Sequence, residues 1–125
     1  MKKVISTPKA PAAVGPYSQA IEANNMLFVS GQLPINPATG KIEAVDIVSE
    51  THQVMKNVSA ILEAADFSLD NVVKTTVYLS DMNNFAVMNE VYKHYFKSDY
   101  PARAAFAVKG LPLGALVEME CIAVK

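Results

Sequence analysis

Two spacings of apolar residues alternate along the chain. In some segments apolar residues recur at every third or fourth position, which is typical of a helix with one buried side. In other segments β-branched and aromatic residues are concentrated in short runs, which is typical of strands. Because both kinds of segment recur from one end to the other, the pattern predicts a domain that mixes helices with a sheet.

Six segments are predicted to be strands. The first, Val4–Ile5, precedes a proline-rich stretch, and a hairpin follows in which Tyr17–Ile21 pairs with Met26–Ser30. Its turn contains Asn24 and Asn25, because asparagine tolerates the left-handed conformation that tight turns need. The segment Gly31–Gly40 is predicted to be a loop, since it holds two glycines and two prolines. The remaining predicted strands are Val72–Leu79, Ala102–Val108 and Leu116–Val124.

Two segments are predicted to be helices. The first is Asp46–Ala65, and either Asp46 or Ser49 could be its N-cap. The second begins at Asp81 or Asn83 and ends at about Phe96. Their predicted apolar stripes are Val48, Thr51, Met55, Val58, Leu62 and Ala65 in the first helix, and Phe85, Met88, Tyr92 and Tyr95 in the second.

The predicted order of elements is β-β-β-α-β-α-β-β, an α+β fold in which two helices pack on one face of a mixed sheet. Two helices of this length can cover only that one face. The other face then needs a second cover, and the simplest one is another copy of the chain, although an antiparallel sheet can also leave one face in water. The length of 125 residues fits one domain, residues 1–125.

Composition narrows the classes of function. Hydrophobic residues make up 51% of the chain and charged residues 18%, as in ordinary folded domains. The net charge of −1 and the lack of a basic stripe count against nucleic-acid binding. No apolar run reaches the roughly 20 residues that span a bilayer, and the proline-rich start does not resemble an export signal. With Cys121 as its one cysteine, the chain is expected to be a reduced cytoplasmic protein.

Metal and cofactor sites are not indicated by any motif. His52 and His94 lie far apart, and neither belongs to a short cluster of metal ligands. The chain has no glycine-rich dinucleotide or phosphate loop and no G-x-S-x-G elbow. Cys121 lies in an apolar strand, which is more typical of a core residue than of a nucleophile. We therefore expect neither a metal nor a cofactor.

Charged side chains in two predicted strands are candidates for chemistry. Arg103 stands among alanines, where a planar guanidinium is suited to binding a carboxylate. The alternative is an arginine at a strand edge that pairs with an internal Asp or Glu. Glu118 and Glu120 point to one face of their strand, so one of them could be a general base that positions water. The alternative is that both simply face solvent.

Polar residues before and after the predicted hairpin are further candidates. The phenol of Tyr17 could donate to a ligand, or its ring could be a half-buried aromatic that closes the hairpin. Ser30 and Gly31 could bring a hydroxyl and backbone N–H groups close to a ligand, because glycine permits near approach. The alternative for this pair is a strand end followed by a turn glycine.

Six stretches of the chain, taken together and in order, resemble the RidA subfamily of the YjgF family from end to end. Any one of these stretches alone would be a weak match, whereas all six at the family's spacing make a specific one. They are Ala10–Gln19, Ser30–Pro34, Val73–Val77, Asn89–Tyr92, Pro101–Arg103 and Val117–Glu120.

The resemblance implies both a fold and an activity. The fold is chorismate-mutase-like, in a homotrimer whose sheets form a central β-barrel and whose sites lie between subunits. The activity is 2-iminobutanoate/2-iminopropanoate deaminase, which hydrolyses the imines released by PLP-dependent dehydratases in amino-acid metabolism. The products are 2-keto acids and ammonia, and no metal or cofactor takes part.

The resemblance also assigns roles to residues. Arg103 matches the arginine that grips the substrate carboxylate, and Glu118 matches the glutamate that orients the attacking water. The matching substrate-binding residues are Tyr17, Ser30, Gly31, Asn89 and Ala105. Ala105 stands where many members have a cysteine, and since that contact is attributed to the backbone, activity is expected to survive. Asp66 departs from a common glycine after the first helix, although aspartate tolerates a left-handed cap.

Other functions remain open from the sequence. The same cleft could belong to a non-catalytic sensor of 2-keto acids or amino acids, and Arg103 would serve that role equally well. An RNA-related role attributed to members of the family is disfavoured by the net charge of −1. A chaperone role leaves no signature in the residues.

Overall fold

The computed structural model describes residues 1–125 and contains one six-stranded sheet and two α-helices in the predicted order. The α+β fold class is therefore confirmed. The strands lie side by side in the order β1-β2-β3-β6-β4-β5. Their bounds are β1 Lys3–Ile5, β2 Ala20–Ala23, β3 Met26–Gln32, β4 Val72–Leu79, β5 Ala102–Ala107 and β6 Val117–Val124, and the helices are α1 Ile47–Ala64 and α2 Phe85–Lys93.

The parallel pairing of β4 with β5 determines where Arg103 lies. All the other strand pairs are antiparallel. Parallel neighbours need a crossover connection, and α2 provides it between β4 and β5. In the resulting register Thr75 is the neighbour of Arg103, and Val77 is the neighbour of Ala105.

The hairpin turn was predicted correctly, but β2 begins later than predicted. Asn24 and Asn25 both have positive φ angles, 51° and 61°. Residues before Ala20 form a bend instead of a strand, in which the Tyr17 N–H donates to the Gly15 carbonyl at 2.8 Å. Tyr17 therefore lies outside the hairpin, and β3 extends to Gln32, so that Gly31 is in a strand and not at the start of a loop.

Helix α1 begins at a capping box. The Ser49 N–H donates to the Asp46 carboxylate at 2.8 Å, and Asp46 is the N-cap. After the helix, Asp66 has a φ of 62°, the left-handed conformation expected there. The predicted apolar stripe was wrong at Val48, which is exposed, because the helix turns Ile47 and Glu50 toward the sheet instead.

Helix α2 is shorter than predicted at both ends. Asp81 caps a 3₁₀ turn over Met82–Asn84, and the α-helix starts only at Phe85. After Lys93 the chain continues with i to i+3 hydrogen bonds up to Phe96, which tighten the last turn. The predicted helix thus includes these two flanking turns.

Both helices pack on the same face of the sheet, which we call the covered face. Alternate strand residues point into the core there, among them Leu27, Thr75, Val77, Met119 and Cys121. The intervening residues point to the opposite side, which we call the bare face. Nothing in the chain packs over it, and its large apolar side chains include Phe28 and Phe106.

Candidate functional site

Arg103 is held on the covered face by helix α2. Its guanidinium donates to the Asn89 amide oxygen at 2.7 Å. The same group lies over two aromatic rings of the helix, with its carbon 4.8 Å from the centre of the Tyr92 ring and 5.5 Å from that of Phe85. These three residues share one helix face because they are spaced by four and three positions. The crossover from β4 to β5 therefore delivers α2 directly onto Arg103.

No carboxylate neutralises Arg103. The chain has one ion pair, Lys93–Glu90 on the exposed side of α2, and the partner of Arg103 is a neutral amide. The alternative in which Arg103 pairs with an internal Asp or Glu was therefore wrong. A guanidinium has five N–H donors in a planar fork, and Asn89 engages one end of it. The remaining donors and the full positive charge are free for a planar anion.

Glu118 lies on the bare face of β6. It pairs with Tyr78 of β4 and alternates with the buried residues Val117 and Met119. Burial raises the pKa of the Glu118 carboxyl, and the charge of Glu120 raises it further. The alternative in which both glutamates simply face solvent holds for exposed Glu120 only, because Glu118 is half-buried.

The hydroxyl of Tyr78 on β4 binds the side chain of Glu120 on β6. It donates to the Glu120 carboxylate at 2.9 Å, and its ring contacts Phe106 edge to face. One oxygen of the Glu120 carboxylate is thereby engaged by the Tyr78 hydroxyl. The two carboxylates have different environments, because Glu118 is half-buried with a raised pKa and the side chain of Glu120 is exposed.

Gly31 is required by the position of Glu118. A Cβ atom built on Gly31 would lie 2.4 Å from the Glu118 Oε2 atom, well inside contact distance. A register shift in the β3–β6 pairing between Val29 and Gln32 brings this glycine beside the carboxylate. The backbone of Gly31 and the Glu118 carboxylate thus form one small polar surface on the bare face.

Ser30 ties the preceding loop to this surface. Its hydroxyl donates to the Ser18 carbonyl at 2.6 Å, and its N–H donates to the Gln19 carbonyl at 3.0 Å. The serine hydroxyl is therefore engaged in holding the loop. Tyr17, which belongs to this loop, is 51% exposed.

Gln19 is a residue whose structural role the pattern did not reveal. Its buried amide group donates to the carbonyls of Thr7, Ala10 and Pro11 and accepts from the Thr7 N–H. These bonds fasten the loop that carries Tyr17. The only signal in the sequence was a polar residue immediately before an apolar strand, which is too common to identify such a role.

The predicted site residues fall into two groups on opposite faces of the sheet. Arg103, Asn89 and Ala105 are on the covered face, whereas Glu118 and Gly31 are on the bare face. Strand β4 separates the two groups, and the strand spacing puts the Cα atoms of Arg103 and Glu118 roughly 14 Å apart. Their side chains point in opposite directions, so one chain does not bring them into a common cleft.

A cleft beside α1 contains none of the predicted residues. It has a volume of about 510 Å³ and lies between α1 and the loop before it, where its lining includes Asn36, Glu43, His52 and Lys56. No three His, Cys, Asp or Glu side chains come together in a geometry that could hold a metal ion. Neither helix is long and apolar enough to cross a membrane.

Cys121 belongs to the core, as the sequence indicated. Its thiol is buried between the sheet and the helices, and burial together with the charge of Glu120 raises its pKa to about 12. A thiol with such a pKa is protonated at neutral pH. It is therefore a poor nucleophile.

The sequence of the chain matches a family model and several known proteins over nearly its whole length. The family model described as endoribonuclease L-PSP matches residues 7–125. A RutC family protein of Pyrococcus horikoshii is 57% identical over 125 residues, which cover 100% of this chain and 99% of that protein. The 2-iminobutanoate/2-iminopropanoate deaminase of Mus musculus is 50% identical over 125 residues, which cover 100% of this chain and 93% of that protein.

Solved structures agree over the whole chain. A putative endoribonuclease of Thermotoga maritima has a TM-score of 0.97 at 50% identity, with 100% of this chain and 98% of that chain covered. The TdcF protein of E. coli, solved with bound serine, has a TM-score of 0.94 at 41% identity, with 98% of each chain covered. Sequence and fold therefore point to the same family.

Proposed function

The chain belongs to the YjgF/RidA family, whose model is described as endoribonuclease L-PSP, and from this premise we propose that it hydrolyses 2-imino acids such as 2-iminobutanoate and 2-iminopropanoate to 2-keto acids and ammonia. The observation that carries the proposal is the Arg103 guanidinium, which is fixed in place and has no carboxylate partner. The mouse and human relatives, at 50% and 46% identity, are deaminases of these two imines. The bound serine in TdcF is a small molecule with a carboxylate, the group that a free guanidinium prefers.

The proposed reaction needs few groups. Arg103 holds the substrate carboxylate, and Asn89 keeps the guanidinium in place. Glu118 accepts a proton from a water molecule while the water oxygen bonds to the carbon of the protonated imine. Glu118 then passes this proton to nitrogen, and as the C–N bond breaks and ammonia leaves, Glu118 takes the remaining hydroxyl proton while the C=O bond of the 2-keto acid forms. A protonated imine is already electrophilic, so the proposed reaction uses no metal, cofactor or covalent intermediate.

The remaining predicted residues would line the substrate. Tyr17 and Asn89 offer polar side-chain atoms, while Ser30, Gly31 and Ala105 would act through the backbone. This assignment fits the engaged hydroxyl of Ser30 and the small size of Gly31 and Ala105. Alanine in place of the cysteine common in the family leaves the backbone N–H and C=O groups unchanged.

We further propose that each site is completed by a second copy of the chain, in a homotrimer whose sheets form a central β-barrel. The support is the placement of Arg103 and Glu118 on opposite faces, which a small 2-imino acid cannot bridge within one chain. The exposed Phe28 and Phe106 give the bare face the apolar surface that such an assembly would bury. The PLP-dependent dehydratases of amino-acid metabolism would supply the imines, and we propose the cytoplasm as the compartment.

An RNA substrate is not part of the proposal, although the family model is described as an endoribonuclease. The net charge of −1 gives no basic surface for a phosphate backbone. The free guanidinium of Arg103 is a single positive group held among aromatic rings. Such a group suits a small carboxylate.

The direct test is imine turnover by Arg103→Ala. A threonine dehydratase generates 2-iminobutanoate, semicarbazide traps what is not hydrolysed, and the rate of trapping is measured with and without the protein. We expect the wild type to lower the rate of trapping. With Arg103→Ala the rate should equal that measured without any added protein. Lys56→Ala is the control, because it removes a positive charge from the exposed side of α1.

Two results would contradict the proposal. Full turnover by Arg103→Ala would show that Arg103 is not needed to bind the substrate carboxylate. A wild type that binds 2-ketobutyrate but leaves trapping unchanged would identify the chain as a non-catalytic carboxylate sensor, the alternative that remained open from the sequence.

The two-chain site has its own test. Arg103→Ala and Glu118→Ala are each expected to be inactive alone, and the two are co-expressed with different affinity tags and purified through both. If each site of the trimer takes Arg103 from one chain and Glu118 from its neighbour, every trimer that carries both tags has one intact site, so about a third of the sites regain activity. Mixed assemblies without activity would show that the two residues must come from the same chain.

A further inference from the structure

Two residues next to Arg103 share a buried hydroxyl–hydroxyl hydrogen bond, and neither belongs to the strand of Arg103 or to the predicted site. The Thr75 Oγ1 and Tyr92 Oη atoms are 2.8 Å apart, and either can donate the hydrogen bond. Thr75 is fully buried and Tyr92 is 4% exposed. Two hydroxyls in an apolar core are costly unless they bond to each other, and Val with Phe would fill the same space without that requirement.

Both residues of the pair are neighbours of Arg103. Thr75 is the neighbour of Arg103 in the β4–β5 register, and the Tyr92 ring lies 4.8 Å from the guanidinium carbon. A hydrogen bond from the far end of the ring to β4 fixes the tilt of that ring. The ring in turn faces the guanidinium, whose plane favours stacking on an aromatic surface.

Helix α2 thus contacts Arg103 through three side chains, and Thr75 fixes the middle one. Asn89 sets the in-plane position of the guanidinium by a hydrogen bond, while Tyr92 and Phe85 limit its out-of-plane movement. Without the hydroxyl bond the Tyr92 ring would still fill its space. It would no longer be tied to the strand that neighbours Arg103.

We propose that Thr75 and Tyr92 are positioning residues, which hold the Arg103 guanidinium in the orientation that receives the substrate carboxylate. The assignment of the carboxylate to Arg103 rests on the proposed function, whereas the ordering of the guanidinium does not. The hydroxyl pair acts through Arg103 and does not touch the substrate.

The chain offers an unusually clean readout, because Arg103 is its only arginine. Labelling with ¹⁵N-arginine therefore gives a single guanidinium signal that needs no assignment. We expect hindered rotation and a well-dispersed Nε–Hε signal in the wild type. In Tyr92→Phe and in Thr75→Val the rotation becomes several times faster, and Thr75→Ser, which keeps the hydroxyl, restores the wild-type behaviour.

Turnover and binding form the second arm of the experiment. Arg103 would bind the carboxylate equally in the bound substrate and in the transition state. In Tyr92→Phe and Thr75→Val, KM should therefore rise about fivefold with little change in kcat. A fivefold change corresponds to the loss of about one ordinary hydrogen bond. The dissociation constant of 2-ketobutyrate should rise by the same factor. The Tyr92→Phe/Thr75→Val double variant should lose no more than either single variant, since both break one bond.

Tyr95→Phe is the matched control. It removes a phenol hydroxyl from the same stretch of chain, but that hydroxyl bonds to His52 and lies away from Arg103. We expect it to leave the guanidinium signal, KM and kcat unchanged.

The outcomes separate the two proposals. An unchanged guanidinium signal in both Tyr92→Phe and Thr75→Val would overturn the positioning role, whatever the activity. A second outcome is faster rotation in both variants together with no imine turnover by the wild type. It would support the positioning role and count against the proposed function. If Tyr92→Phe does not fold, Thr75→Val against Thr75→Ser decides the question alone.

Discussion

The two faces of the sheet carry different kinds of chemistry. On the covered face a cation is held by an amide and two rings, one of which bonds to β4 through its hydroxyl, so all of these contacts come from one chain. On the bare face an acid lies beside a glycine backbone and a second carboxylate, with no part of the chain above it. The cation is therefore ready to bind an anion, while the acid is in a surface that is still open.

This difference shows what folding of one chain accomplishes and what it leaves to association. A packed helix can orient Arg103, because α2 buries its apolar side against the same face. No element remains to do this for Glu118, since both helices are used on the other side. The sheet supplies two half-sites, and the proposed trimer would join one of each.

Neighbouring residues on β3 give the strongest test of this contrast. Leu27 is fully buried on the covered face, whereas Phe28 is 43% exposed on the bare face. Leu27→Asp puts an unpaired charge in the core and should cost roughly 5 kcal/mol or more, enough to unfold the chain. Phe28→Asp should leave the chain folded and convert the larger assembly to monomers, as measured by circular dichroism and light scattering.

The contrast fails if both variants behave alike. Unfolding by Phe28→Asp would mean that the bare face belongs to the core of the single chain. A folded Phe28→Asp that keeps the size of the wild-type assembly would mean that this face is not buried by association.

Removal of the acid should have the next largest effect. Glu118→Gln keeps the size of the side chain but cannot accept a proton, so kcat should fall about 100-fold to 10,000-fold. The affinity for 2-ketobutyrate should change far less, because in the proposed mechanism Arg103 binds the carboxylate. Glu120→Gln is the control, since glutamine can still accept the Tyr78 hydroxyl bond and leaves Glu118 in place. Equal losses in the two variants would contradict a specific role for Glu118.

Local patterns predicted most of the fold. The β-branched run Val72–Leu79 is a strand with the predicted bounds, and the two asparagines have the positive φ angles that their turn requires. These features depend on neighbours in the sequence. The late start of β2 could not be predicted in this way. It depends on the bend at Gly15 and on the hydrogen bonds of Gln19 to the distant residues Thr7 and Pro11.

The arrangement of the candidate site could not be predicted from the sequence. Arg103 and Glu118 were both candidates, but their separation onto opposite faces follows from the strand order and the parallel β4–β5 register. The bond from Tyr92 to Thr75 depends on the same register, and it links residues that looked like ordinary strand and helix positions. Long-range pairing is what a single sequence pattern leaves undetermined.

A smaller change on the bare face sharpens the role assigned to Glu118. In Gly31→Ala the new methyl group would lie 2.4 Å from the Glu118 Oε2 atom, so the carboxylate must turn away. We expect the fold to survive, because the atom displaced is the end of a flexible side chain. Turnover should fall roughly 10-fold to 100-fold, as for other small misplacements of a catalytic group. Unchanged kinetics would show that Glu118 does not act from the observed position.

Glu50 is the covered-face counterpart of Glu118 and gives the smallest predicted effect. Its carboxylate is buried under α1 and accepts the Leu116 N–H at 2.8 Å. Burial raises its pKa above the ordinary value of 4.5, partly offset by the Leu116 hydrogen bond, and the charge of Asp46 adds to the rise. The folded chain therefore keeps this proton at pH values where the unfolded chain has lost it. The wild type should lose stability as the pH rises through and above 4.5, until the raised pKa is passed.

Glu50→Gln tests this origin of the pH dependence. Glutamine keeps an acceptor for the Leu116 N–H and cannot ionise, so the variant should lack this loss of stability at higher pH. The measurement is urea unfolding from pH 4 to pH 8 at one protein concentration, because association also contributes to stability. The pH profile of turnover should stay that of the wild type, since Glu50 faces the covered side. The opposite result is a Glu50→Gln variant in which the pH profile of turnover shifts and the pH profile of stability does not. It would reverse the roles of the two acids, because Glu50 and not Glu118 would then serve the reaction.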